Sequence, residues 1–260
     1  MLIKRKSIEQ AESSRRPARK PKFAPVTLSE QDGVRYLHFG TEWVQGAMRI
    51  RKPDWPELEY AQQMMAWMLF IEKPQAIAQL GLGAATLTKF CYRQFPESTV
   101  TAVELNESVV AICASMFKLP PSDDRLNVLE MDAMDFVLDP ANHRAFDVLQ
   151  CDLYDATARG PVLDTPEFYQ ACNDCLADGG IMTVNLFGDH PSFAKNIKAM
   201  KFAFEHVICL PEVHEGNVVA LCFRDRPVVD KEALAARAAQ IVSETKLPAK
   251  SWVKGILAAA

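Results

Sequence analysis

From residue 75 to residue 226 the chain alternates between short apolar runs and segments of helical periodicity. The runs "AIAQLGLG", "TVTAVELN", "LNVLEMD", "FDVLQCDLYD" and "GGIMTVNLFG" read as strands. Between and after them stand "ATLTKFCYRQF", "ESVVAICASMF", "AMDFVLD", "TPEFYQACNDCLA" and "HPSFAKNIKAMKFAF", whose apolar positions recur at helical spacing. This order confines the fold. Strands separated by helices are joined by right-handed crossovers and lie parallel, with helices covering the sheet. The last two runs, "HVICLPEV" and "NVVALCFRD", have no helix between them and predict an antiparallel hairpin at one edge. The expected class is α/β.

Upstream, residues 23–72 alternate apolar and polar residues around the turn signals "QDG" and "FGTE". They predict a small antiparallel β-domain followed by a connecting helix, "ELEYAQQMMAWMLFI", that ends before Pro74. Residues 73–226 form the main domain, and the alanine-rich stretch 227–260 reads as a helical tail. Residues 1–22 hold eight Lys/Arg against two Glu, a net +6 that leaves −10 for the remainder. They predict a disordered basic tail. An acidic body makes nucleic acid an unsuitable main ligand and is compatible with a cationic one.

In open α/β sheets ligands bind beyond the carboxyl ends of the strands. After the first strand, Gly81 and Gly83 allow close backbone approach to a ligand beside a helix N-terminus. A tight structural turn is the other reading, and Thr86 stands where a dinucleotide fingerprint has its third glycine. After the second strand, Glu104 follows Gly83 by 21 residues, suited to accept hydrogen bonds from ribose hydroxyls. The pair predicts an adenosine-type site without separating NAD from S-adenosyl cofactors. After the third strand, Asp132 is placed either to cap the next helix or to meet an adenine amino group. Dehydrogenases do not need this acid, so it favours an S-adenosyl cofactor. After the fourth, "CDLYDATARGP" sets Asp152 and Asp155 around Tyr154. Two carboxylates in a cleft can hold an ammonium group and accept its proton. Turn and capping chemistry is the alternative. Residues 156–165, rich in small and turn residues, read as a lid.

Seven cysteines, odd in number and mostly in apolar runs, read as reduced thiols of a cytoplasmic protein. Cys172 and Cys175 form a lone CxxC on a predicted helix, without further ligands at zinc spacing, so no metal is expected. No apolar run reaches the ~18 residues of a membrane span.

The order "QLGLGAATL", "AVELNESVV", "LEMDAMDF", "FDVLQCDLYDATARGP" and "EFYQACNDCLADGGIMTVNL" resembles the spermidine synthase (polyamine aminopropyltransferase) family. The likeness covers about residues 30–225 and is greatest to its divergent bacterial members. It implies a Rossmann-like methyltransferase fold preceded by a small β-domain. It also implies aminopropyl transfer from decarboxylated S-adenosylmethionine to a polyamine, release of methylthioadenosine, and a homodimer. By motif, Gln45 of "EWVQGAM" would lie near the cofactor, Glu104 at the ribose, and Asp132 and Ala133 at the adenine. Asp152 would sit by the reacting centre, and Asp155 would position and deprotonate the amine. Tyr60 lies one place out of register with the family's pocket tyrosine. Two positions depart from the pattern: Ala84 replaces an acid of the glycine loop, and Trp67 replaces a pocket histidine. These departures leave two alternatives open. One is an S-adenosylmethionine-dependent methyltransferase, and the other a non-catalytic nucleoside- or polyamine-binding protein.

Overall fold

The computed structural model describes residues 23–155, 160–213 and 216–259. The expected basic tail, and residues 156–159 of the expected lid, lie outside these.

Three strands, β1 (Thr27–Gln31), β2 (Val34–His38) and β3 (Val44–Arg49), form an antiparallel sheet. The main sheet has seven strands. Five are β4 (Ala76–Leu80), β5 (Thr99–Glu104), β6 (Leu126–Glu130), β7 (Phe146–Cys151) and β8 (Leu176–Phe187); the closing pair is β9 (His206–Cys209) and β10 (Asn217–Phe223). Their order is β6-β5-β4-β7-β8-β10-β9. All pairs from β6 to β8 are parallel, and β10 runs antiparallel to both neighbours. The hairpin therefore sits at the edge, with β10 inserted between β8 and β9. The crossover helices are α2 (Thr86–Gln94), α3 (Glu107–Met116), α4 (Ala133–Leu138), α5 (Pro166–Cys175) and α6 (Phe193–Ala203). Three starts are capped by side chains: Asn106 accepts from Ser108 N, Asp132 from Met134 N and Thr165 from Phe168 N.

The connecting helix is the one element that differs. It is not continuous: α1 covers only Glu59–Gln63, and a 3₁₀ turn follows at Ala66–Leu69. Tertiary partners take the carbonyls that a longer helix would use. Gln150 Nε2 donates to Met64 O at 3.1 Å, and Arg237 Nε to Met68 O at 2.9 Å. Residues 63–69 are buried on all sides, so packing rather than helical periodicity sets their shape.

Residues 231–259 fold as α7 (Lys231–Thr245) and α8 (Ala249–Ala259). Leu234, Ile241, Trp252 and Ile256 are buried in the same apolar cluster as Leu37 and Met48 of the small sheet and Ile77 of β4. Cys172 and Cys175 face the other core layer, inside α5, and burial pushes both thiols up, as the packing reading expects.

Candidate active site

The chain leaves β4 for β5 and β6 on one side, then crosses to β7 and β8 on the other. That reversal opens a crevice beyond the carboxyl ends of β4 and β7. A cavity of about 710 Å³ lies there. It is lined by Gln45, Tyr60, Gly81, Gly83, Glu104, Asp132, Ala133, Asp152, Tyr154 and Asp155, so all ten residues singled out from sequence meet in one place.

The glycine loop is shaped by close backbone contact. A Cβ on Gly81 would lie 2.3 Å from Asp152 O, and its φ of +93° is one that other residues rarely adopt. At Gly83 a Cβ would lie 2.9 Å from Gln45 O. The loop thus runs tightly between the β7 end and the small sheet. Thr86, at the missing fingerprint position, instead donates its hydroxyl to Ala47 O at 3.0 Å and ties α2 to β3.

Glu104 projects from the end of β5. Its Oε2 accepts from Leu82 N at 3.1 Å and its Oε1 from Asn106 N at 2.8 Å. Burial raises its carboxyl, and these backbone donors oppose the rise. The carboxylate is held rigidly, with remaining lone pairs for ligand hydroxyls. Asp132 caps α4 through Met134 N at 2.7 Å and lines the cavity as well, so its two readings are compatible.

The β7 end carries the densest hydrogen bonding. Asp152 Oδ2 accepts from the Tyr60 hydroxyl at 3.2 Å, and Oδ1 accepts from Asn185 Nδ2 at 2.9 Å. Burial raises the Asp152 carboxyl, and both hydrogen bonds pull it back. The Tyr154 phenol is pushed up by burial and by the nearby Asp152 charge, so it stays a neutral donor. Its hydroxyl donates to Asn185 O at 3.2 Å. Asp155 stands at the exposed edge, where its carbonyl accepts from Gln45 Nε2 at 3.0 Å. That bond joins the small sheet to the β7 loop. Val162 and Leu163, the described end of the expected lid, add apolar wall.

Five carboxylates line the cavity, those of Glu42, Glu104, Asp132, Asp152 and Asp155; among the described lining residues there is no lysine or arginine. The described residues include no group of three His, Cys, Asp or Glu arranged for a metal. They also include no helix long and apolar enough to cross a membrane.

Of the two departures from the family pattern, Trp67 lies away from the cavity, while Ala84 lines a small pocket that shares Gln45, Tyr60, Gly81, Gly83 and Asp152 with it. Trp67 is wholly buried and packs on Phe95 with ring centroids 5.1 Å apart. Ala84 is buried against Gly46, whose added Cβ would approach Ala84 N to 2.6 Å. Sequence reasoning missed Asn185, Asn217 and Phe187, which close the β8–β10 side, and Glu42 and Trp43 at the rim. Asn185 carried a signal: it is polar inside the apolar run "IMTVNLF", at the strand end where ligands bind. Asn217 required knowing that β10 inserts between β8 and β9. Glu42 and Trp43 stand in the stretches "FGTE" and "EWVQGAM", which were read only as a turn signal and as the setting of Gln45.

Residues 81–230 match the model of the spermine/spermidine synthase domain. The chain is 30% identical over 218 residues to a polyamine aminopropyltransferase of Chromobacterium violaceum, covering 83% of each. It is 31% identical over 214 residues to the polyamine aminopropyltransferase of Neisseria meningitidis serogroup A, covering 82% of this chain and 80% of that one. A probable spermidine synthase from Corynebacterium glutamicum superimposes with a TM-score of 0.70 at 19% identity, covering 89% of this chain and 91% of that one.

Proposed function

The chain belongs to the spermine/spermidine synthase family of transferases, and on that premise we propose that it transfers an aminopropyl group from decarboxylated S-adenosylmethionine to a polyamine amine. The charge of the cavity carries this reading. A sulfonium nucleoside with an aminopropyl ammonium, and a polyamine acceptor, are all cations, and five carboxylates face them without an opposing base among the described lining residues. Intact S-adenosylmethionine would bring a carboxylate into the same acidic wall.

In this reading the Gly81–Gly83 backbone passes along the nucleoside, Glu104 accepts from the ribose hydroxyls, and Asp132 and Ala133 flank the adenine. Gln45 closes the seam to the small sheet, while Tyr60 and Asp155 hold the acceptor ammonium. The sequence expectation gave proton removal to Asp155. We read Asp152 as the base instead: its carboxylate lines the cavity with both oxygens oriented, by Tyr60 and Asn185, and its raised pKa suits proton acceptance. An alkyl ammonium, with a pKa near ~10, must lose its proton before attack. Asp152 takes that proton; the freed nitrogen bonds to the carbon next to the sulfonium. The carbon–sulfur bond breaks with its electron pair passing to sulfur, and neutral methylthioadenosine leaves. Holding the partners in line supplies the rest of the rate. A homodimer and a cytoplasmic location belong to the same proposal and rest on the resemblance.

The test is the nucleoside product. Purified protein with decarboxylated S-adenosylmethionine and putrescine is expected to form methylthioadenosine, and none without the amine. S-adenosylhomocysteine from the intact cofactor would overturn the reading in favour of methyl transfer. Tight methylthioadenosine binding without turnover would overturn it in favour of a binding protein.

A further inference from the structure

Two buried amides stand in line behind Asp152. Asn185 is 2% exposed and Asn217 8%. They lie on adjacent antiparallel strands, Asn185 opposite Val219 and Asn217 opposite Phe187, so their side chains share a face and meet on the diagonal. The donors run one way. Asn217 Nδ2 donates to Asn185 Oδ1 at 2.9 Å, and Asn185 Nδ2 donates to Asp152 Oδ1 at 2.9 Å. An amide whose oxygen is occupied by a donor presents its NH₂ on the other side. Asn217 therefore fixes which end of Asn185 faces the carboxylate. The Tyr154 hydroxyl on Asn185 O secures the strand end itself. Burying two amides in a sheet is costly unless they are paired, and apolar residues would fill the space with less penalty.

Taking Asp152 as the base of the proposed reaction, we propose that Asn185 and Asn217 are positioning residues, a one-way relay that aims the Asp152 carboxylate at the incoming amine and donates to its charged form. The pair leaves the Tyr60 bond on Oδ2 undisturbed, so the two oxygens are fixed from opposite elements, α1 and β8. Among the described residues, the titratable groups around Asp152 are few. Tyr60 comes from α1, and Cys151, Tyr154 and Asp155 from its own segment; β8 and β10 contribute the two amides, and the glycine loop the Gly81 backbone. Burial pushes Cys151 and Tyr154 up, so both are neutral where a carboxylate titrates.

The test compares wild type with Asn185→Leu, Asn185→Gln, Asn217→Leu and the Asn185→Leu/Asn217→Leu double variant. kcat and KM are measured with decarboxylated S-adenosylmethionine and putrescine from about pH 5 to 9, alongside methylthioadenosine affinity. Asn185→Leu is expected to lower kcat by about tenfold or more and to move the acid limb of kcat/KM up by about one pH unit. Nucleoside affinity should hold. Asn185→Gln keeps a donor and should bring the limb back towards wild type. Asn217→Leu should shift the limb in the same direction by less, and the double variant should fall short of the sum of the two single shifts, because Asn217 reaches Asp152 through Asn185. An unmoved limb, or additive losses in the double variant, overturns the relay while leaving the aminopropyl reading intact. A wild type that forms no methylthioadenosine overturns that reading and the relay with it. If Asn185→Leu does not fold, Asn217→Leu decides the matter, since it removes no group from Asp152 itself.

Discussion

At Asp152 burial and hydrogen bonding oppose each other. Burial raises the carboxyl, while Asn185 and Tyr60 donate to its charged form. The net result is a carboxyl whose proton affinity exceeds that of a surface aspartate. Glu104 is built by the same means with backbone donors in place of side chains, and its rigid carboxylate suits binding rather than proton transfer. Glu104→Gln is therefore expected to weaken methylthioadenosine binding by about ten- to a hundredfold, the worth of a charge-assisted hydrogen bond of roughly 1.5–3 kcal/mol. Calorimetric titration checks this; unchanged affinity would remove Glu104 from the ribose. The acids at the strand ends were legible in sequence because the α/β rule says where to look. Asn217 was not, because its place depends on β10 inserting beside β8.

At the scale of elements, α2 and α3 are joined by a buried cation. Lys89, wholly buried, donates Nζ to Phe117 O at 2.7 Å, beyond the last turn of α3. A lysine there satisfies a carbonyl at the helix end. Burial pushes its pKa down to about 8. The unfolded chain, near the ordinary value of 10.5, then binds more protons above that point, so stability contributed through this site rises as pH increases from about 8 towards 10. Lys89→Met should flatten that rise, as urea melts of both proteins at several pH values would show. An identical pH slope in the variant contradicts it. The crossover helices were readable because each combines a periodic apolar face with a strand before it. The broken connecting segment was not: Gln150 and Arg237, which claim its carbonyls, are 86 and 169 residues away in sequence.

Across the whole molecule, the apolar cluster runs from the small sheet through the main sheet to the last helix. The C-terminal helices read from composition as a tail, yet Trp252 is 1% exposed and packs in that cluster. Alanine periodicity alone does not reveal which surface a helix covers. Trp252→Ala is expected to cost about 3–5 kcal/mol in chemical denaturation, the range for emptying a large aromatic site. A loss below about 1 kcal/mol would place these helices outside the cooperative core.

In the proposed reaction an acidic cavity at the sheet's switch point delivers an alkyl group from a sulfonium nucleoside to an amine. Its most direct test is the mass of the amine after incubation with putrescine and an equal mixture of decarboxylated and intact S-adenosylmethionine. An amine enlarged by one aminopropyl group is expected, with that product absent in Asp152→Asn. A methylated amine, or product formation undiminished in Asp152→Asn, would contradict it.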